Sequence, residues 1–125
     1  MQYIGKINIE IYSVISEDIA TDDVIITEEQ ITHIKECHPN DYERFSEYIP
    51  EIIENPDYIL ETEKPKTAFV IKEICENNRT FKLVLRLKTS SDPENYKNSV
   101  MTFMKINVQE YKRLIKNKKI LYKRE

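Results

Sequence analysis

Ile7, Ile9 and Ile11 alternate with Lys6, Asn8 and Glu10 near the start of the chain. That period of two predicts a half-buried strand. The acidic stretch Ser16–Asp23 reads as a loop and Val24–Ile26 as a short strand. The pattern then turns helical. Thr27-Glu28-Glu29-Gln30 forms a capping box, in which Thr27 accepts a backbone N–H and Gln30 reaches back. The helix runs to about His38, because Pro39 has no amide hydrogen and restricts the residue before it. Asp41–Tyr48 begins a second helix capped by Asn40 or Asp41. Pro50 opens a fresh turn over Glu51–Glu54, which Asn55-Pro56 stops.

The remainder is rich in strands. Tyr58–Glu61 is short and apolar, and Thr67–Cys75 is rich in Val, Ile and Phe. Asn77-Asn78 suits a tight turn, since Asn tolerates positive φ. Thr80–Thr89 alternates: Phe81, Leu83, Leu85 and Leu87 share one face, and Lys82, Val84, Arg86 and Lys88 the other. A polar loop, Ser90–Lys97, leads to a strand over Ser99–Ile106. Asn107-Val108-Gln109-Glu110 is a second capping signature, opening a helix to about Lys116. Ile120–Tyr122 supplies a last short strand. Helices followed by mostly antiparallel strands make an α+β fold.

The chain has 125 residues, 40% hydrophobic and 33% charged, enough for one domain spanning residues 1–125 and too apolar for a disordered tail. No apolar run approaches the roughly 20 residues of a bilayer span, so no membrane partner is expected. The N-terminus lacks the layout of a signal peptide. Cys37 and Cys75 are the only cysteines and read as reduced thiols of a cytoplasmic protein. The single glycine, Gly5, excludes both a dinucleotide fingerprint and a P-loop. Charge is segregated. Residues 1–63 carry 16 acidic and 3 basic side chains, a net of −13, whereas residues 64–125 carry 6 and 16, a net of +10. A basic half suits a polyanion, and the acidic half then faces something else; the plain alternative is mutual neutralisation across one fold.

His33 and His38 are the only histidines, within His33-Ile34-Lys35-Glu36-Cys37-His38. Helical spacing sets His38 between Ile31 and Ile34, at the helix C-terminus and a cleft edge, with His33 further round beside Cys37. The plain readings are a satisfied helix-end histidine and a solvated one. Zinc is not expected at His33, Cys37 and His38, since the two histidines do not share a face and no second ligand pair exists. The scattered carboxylates do not suit magnesium catalysis. No cofactor is expected. Lys82 and Arg86 lie on one side of their strand, with Arg86 set in the apolar run Leu83-Val84-Leu85-Arg86-Leu87. Cations on a rigid strand suit phosphate. By strict alternation Asn98 and Thr102 share a face of the next strand, and Ser99 lies on the other.

The stretches ITEEQITHIKECHP, IIENPDYIL, KTAFVIKEI, FKLVLRLKT, YKNSVMTFMKI and NKKILYK, in that order over Val24 to Lys123, resemble the phage-associated barnase–EndoU–colicin–RelE-like nuclease families. The resemblance implies N-terminal helices packed on a roughly four-stranded, mostly antiparallel sheet, in a protein of phage or mobile-element origin. It implies metal-independent RNA cleavage, tRNA included, by attack of a 2′-hydroxyl on the adjacent phosphate. His33 and His38 match the paired histidines, of which at least one is a base or acid. Arg86 matches a phosphate-binding arginine, and Thr102 a hydroxyl that orients phosphate. Ser99, Asn98, Lys82 and Lys123 are weaker substrate-binding candidates. The resemblance also makes the basic half a track for RNA. The competing reading is a non-catalytic module on the same fold that binds a protein or nucleic-acid partner, such as a phage-encoded inhibitor or a toxin-system component, with the acidic face over residues 1–63 open to an inhibitor or host protein.

Overall fold

The computed structural model describes residues 1–74 and 78–124. One sheet runs in the order β1-β2-β6-β5-β4-β3-β7. Its strands are β1 (Gln2–Lys6), β2 (Asp23–Ile26), β3 (Tyr58–Glu61), β4 (Thr67–Ile74), β5 (Arg79–Arg86), β6 (Asn98–Ile106) and β7 (Ile120–Lys123). The helices are α1 (Ile9–Tyr12), α2 (Glu28–Cys37), α3 (Asp41–Phe45), α4 (Ile49–Glu54) and α5 (Val108–Asn117). The α+β class is as expected, but among the described residues the sheet has seven strands rather than about four. The antiparallel run β3-β4-β5-β6 is the anticipated centre. The β1–β2 hairpin extends it, because β2 pairs in parallel with β6 at Val24–Asn98 and Ile25–Ser99. At the far edge β7 pairs with β3.

Three elements depart from the pattern. The Ile7-Ile9-Ile11 alternation is not a strand: β1 ends at Lys6, and Asn8 caps α1 by accepting the Glu10 N–H at 3.0 Å. Asparagine here competes with the ladder for backbone. Ile9 is left exposed, while Tyr12 is fully buried with its hydroxyl donating to the Ile53 carbonyl at 2.9 Å. The helix expected over Asp41–Tyr48 closes at Phe45 and tightens into a 3₁₀ turn, Ser46–Tyr48, before α4 begins at Ile49 with Pro50 in its first turn. Strand β5 stops at Arg86 rather than Thr89, because the next N–H groups are taken elsewhere. Leu87 donates to the Lys66 carbonyl at 2.7 Å and Lys88 to Asn98 Oδ1 at 2.7 Å. Asn78 has φ 53°; the turn expected at Asn77-Asn78 falls partly outside the described residues, as do Asn77 and Cys75 themselves.

The sheet's two faces are covered unequally. Phe81, Leu83 and Leu85 of β5, Val70 of β4 and Val100 and Phe103 of β6 are buried in a core with Tyr12, Ile34, Phe45, Ile49, Ile52 and Ile53 of α1–α4. Burying each such side chain contributes about 1.5–3 kcal/mol. On the opposite face α5 buries Leu114 against Leu60, Ile71 and Ile106. Ten residues span only about 15 Å, so part of that face has no helix over it. No helix among the described residues is long and apolar enough to cross a membrane.

Candidate active-site groove

Where α5 ends, a cavity of about 730 Å³ opens on the second face of the sheet. Phe69, Val84, Met101 and Thr102 form its floor. One wall is α2, which contributes Glu29, Gln30 and His33; the other is the β3–β4 connection with Lys64, and Lys118. Helix α2 reaches this position because β2 pairs with β6 only as far as Ser99. Beyond it the helical segment flanks β6, and Asp41 accepts the Lys105 N–H at 3.0 Å. Ile34 then fills the core while Glu29 and His33, four apart on one helix face, turn to the cavity. Thr27 caps α2 by accepting the Gln30 N–H at 3.2 Å, but the Gln30 side chain lines the cavity instead of completing the box.

A β-bulge builds the floor. Val84 pairs with Thr102, but Leu85 pairs with Val100 and Arg86 with Ser99, so Met101 is an extra residue in β6. A bulge reverses the alternation beyond it. Thr102 and Ser99 therefore share the groove face with Val84 and Arg86, contrary to the expectation from strict alternation. Asn98 turns to the other side and is fully buried. Its amide donates to the carbonyls of Thr21 at 2.7 Å and Asp23 at 3.0 Å, and its oxygen accepts from Lys88. Asn98 thus ties β2 to β6 and is spent as a substrate ligand.

Arg86 lines an adjoining cavity of about 460 Å³ that shares Lys64, Thr67, Val84 and Met101 with the first. Its charge is already partnered. The guanidinium holds Asp92 at 2.9 Å and 3.5 Å. That contact, helped by the Thr89 N–H at 2.9 Å, holds the Asp92 carboxyl down at about 2. Lys66 adds a second cation at 3.9 Å. An arginine has five N–H donors, so Arg86 keeps donors for a second anion.

The other candidates are dispersed. His38 is the half-buried C-cap of α2, its N–H donating to the Ile34 carbonyl at 2.8 Å, and it lines neither cavity. Lys82 faces α5, 3.8 Å from Glu110 and over the Phe69 ring at 5.3 Å. Ser99 Oγ points to the Met101 sulfur at 3.7 Å. Lys123 pairs opposite Tyr58, the end of β3 away from the Lys64 connection. Cys37 is exposed, with its sulfur 3.8 Å from both His33 ring nitrogens. The described residues hold no group of three or more His, Cys, Asp or Glu side chains fit for a metal.

Glu29, Lys64, Lys118 and Asp92 were not among the sequence candidates. Glu29 carried a usable signal, its four-residue offset from His33. Lys118 carried none, since its place depends on the reversal between α5 and β7, where Glu61 donates to the Lys119 carbonyl at 2.9 Å. Among the described residues the two charged halves meet only in part. Asp23–Lys97, Asp57–Lys72 and Asp57–Arg124 cross between them. Lys64 and Lys118 have no carboxylate within 4.0 Å among the described residues.

The sequence model of a family described as phage-Barnase-EndoU-ColicinE5/D-RelE like nuclease2 matches residues 1–123. No curated protein and no solved structure matches the chain.

Proposed function

The chain belongs to this phage Barnase-EndoU-ColicinE5/D-RelE-like nuclease family, and from that premise we propose that it is a metal-independent endoribonuclease acting in the His33–Thr102 cavity. One observation carries the reading. A single cavity collects an imidazole and a carboxylate from one helix face, a second carboxylate at Glu63, a sheet hydroxyl and two lysines with no carboxylate within 4.0 Å among the described residues.

Those groups are the ones the reaction needs. A base takes the proton of the 2′-hydroxyl as O2′ bonds to phosphorus. The phosphorus–O5′ bond breaks, and an acid returns a proton to O5′, leaving a 2′,3′-cyclic phosphate and a 5′-hydroxyl. His33 and Glu29 exchange these two protons. Lys118 faces the negative charge that grows on the scissile phosphate, with the Thr102 hydroxyl donating to one of its oxygens, and Lys64 faces the next phosphate along. Arg86 uses its remaining donors on a neighbouring phosphate. His38, outside the cavity lining, takes no part in proton transfer.

The test is incubation of bulk tRNA and rRNA with the purified protein in EDTA. The parent yields cyclic-phosphate ends, and His33→Ala loses about 10²–10⁴-fold in rate. A folded parent that cuts neither RNA overturns the reading. A second reading, a module that binds a basic protein, then takes its place. It rests on the exposed carboxylates of Glu47, Glu51 and Glu54, which have no cation within 4.0 Å among the described residues.

A further inference from the structure

Three cavities lie side by side along the second face of the sheet, and β5 passes beneath them. Lys82 lines a lobe of about 260 Å³ together with Arg113. Val84 lies under the central lobe of about 730 Å³, and Arg86 lines the lobe of about 460 Å³. Alternate residues of a strand share a face, so Lys82, Val84 and Arg86 mark a line of about 13 Å. That is two nucleotide steps of an extended strand. The lobes adjoin. Phe69 and Lys118 belong to both the first and the second, and Lys64 and Met101 to both the second and the third.

The charge along this line is ordered. The end cations are matched, Lys82 by Glu110 at 3.8 Å and Arg86 by Asp92 at 2.9 Å. The cations on the two shared walls, Lys118 and Lys64, have no carboxylate partner among the described residues. Between them the floor is mostly apolar, with Phe69, Val84 and Met101 beside Thr102. Apolar floors alternating with cationic walls suit bases laid on the sheet and phosphates held at the boundaries. A duplex offers its phosphates but keeps its base faces stacked, so it cannot use the floor.

We infer that the groove binds an extended single strand of RNA, one nucleotide to a lobe, with Lys118 holding the phosphate between the central and Lys82 lobes. The inference deepens the nuclease reading and rests on it only for the position of the cleaved bond.

The experiment measures anisotropy of labelled 2′-O-methyl oligouridylates of two, three, four and six nucleotides, which cannot be cut by 2′-hydroxyl attack. Affinity rises with length to about one nucleotide beyond the lobes and then levels. A duplex of equal charge binds more weakly. Lys118→Ala lowers affinity for the four-nucleotide probe about tenfold and reduces the salt slope by about one, while Lys118→Arg restores both. Affinity that ignores length, equal binding of the duplex, no binding at all, or parental binding by Lys118→Ala each overturns the inference. Cleavage of bulk RNA by the same preparation separates the two claims. Cleavage with a flat length profile removes the groove assignment alone, and a stepped profile without cleavage removes the nuclease reading alone.

Discussion

Strand β5 serves two surfaces that share one backbone and differ in nearly everything else. Toward α1–α4 it turns Phe81, Leu83 and Leu85, all at 0% exposure. Toward α5 it turns Lys82, Val84 and Arg86, all half-buried. The first surface is a core in which Phe81 meets Phe45, Tyr48 and Phe103 at ring-centroid distances of 5.1–5.8 Å. The second is covered by α5 over one part and is open over the rest, where the polar and charged groups gather. Stability and binding are thus divided between faces, and a site on one face can vary without emptying the core on the other.

The comparison breaks most readily at its largest effect. Phe81→Ala should cost about 3–5 kcal/mol in urea unfolding. Val84→Ala, three positions along on the open face, should cost less than half as much, since its side chain has fewer neighbours to lose. Equal losses would mean that the groove floor supports the fold as the core does, and the division of labour would fall.

The Arg86–Asp92 pair sharpens the contrast, because it is the charged feature most tightly held on the open face. Its carboxyl is held at about 2 in the folded protein, against about 3.9 for an ordinary aspartate. A depressed folded value adds stability that is complete above about pH 4 and is lost as pH falls through about 2. The parent should therefore be more stable than Asp92→Asn near pH 5, with the gap closing as acid is added. Urea midpoints taken down that range check it, and a constant gap would show that Asp92 acts by packing instead.

The smallest expected effect belongs to His38→Ala. The side chain caps α2 outside the groove lining, so RNA cleavage should stay at the parental rate while His33→Ala loses it. Loss of cleavage in both variants, with folding intact, would return His38 to the site and redraw its wall along α2.

Much of the secondary structure was legible because its causes are short-range. Thr27 and Asn107 accept the N–H of the residue three further on, at 3.2 Å and 2.8 Å, as their capping signatures require. The alternation over β5 marked the core face correctly. The same rule failed at Asn8, where a side chain competes for the backbone, and at Met101, where one inserted residue reverses every position beyond it. The family resemblance led to Arg86 and Thr102, which the fold sets in adjoining parts of one groove, and to His38, which it does not. Arg86 reads in the sequence as a cation placed for phosphate; its partner within the fold, Asp92, lies six residues on.

The sequence by itself determined most of the strands, α2 and α5 with their Thr27 and Asn107 caps, the inward face of β5, the α+β class and the family. Periodicity and capping act within a few residues, so a single chain carries them openly. Only the tertiary structure decided that the sheet has seven strands, that Ser99 turns beside Thr102, that His33 lines the cavity, and that Lys118 closes a wall opposite α2. Those facts depend on where β2 stops against β6 and where α5 ends above the sheet, and both are set by packing between residues far apart in the chain.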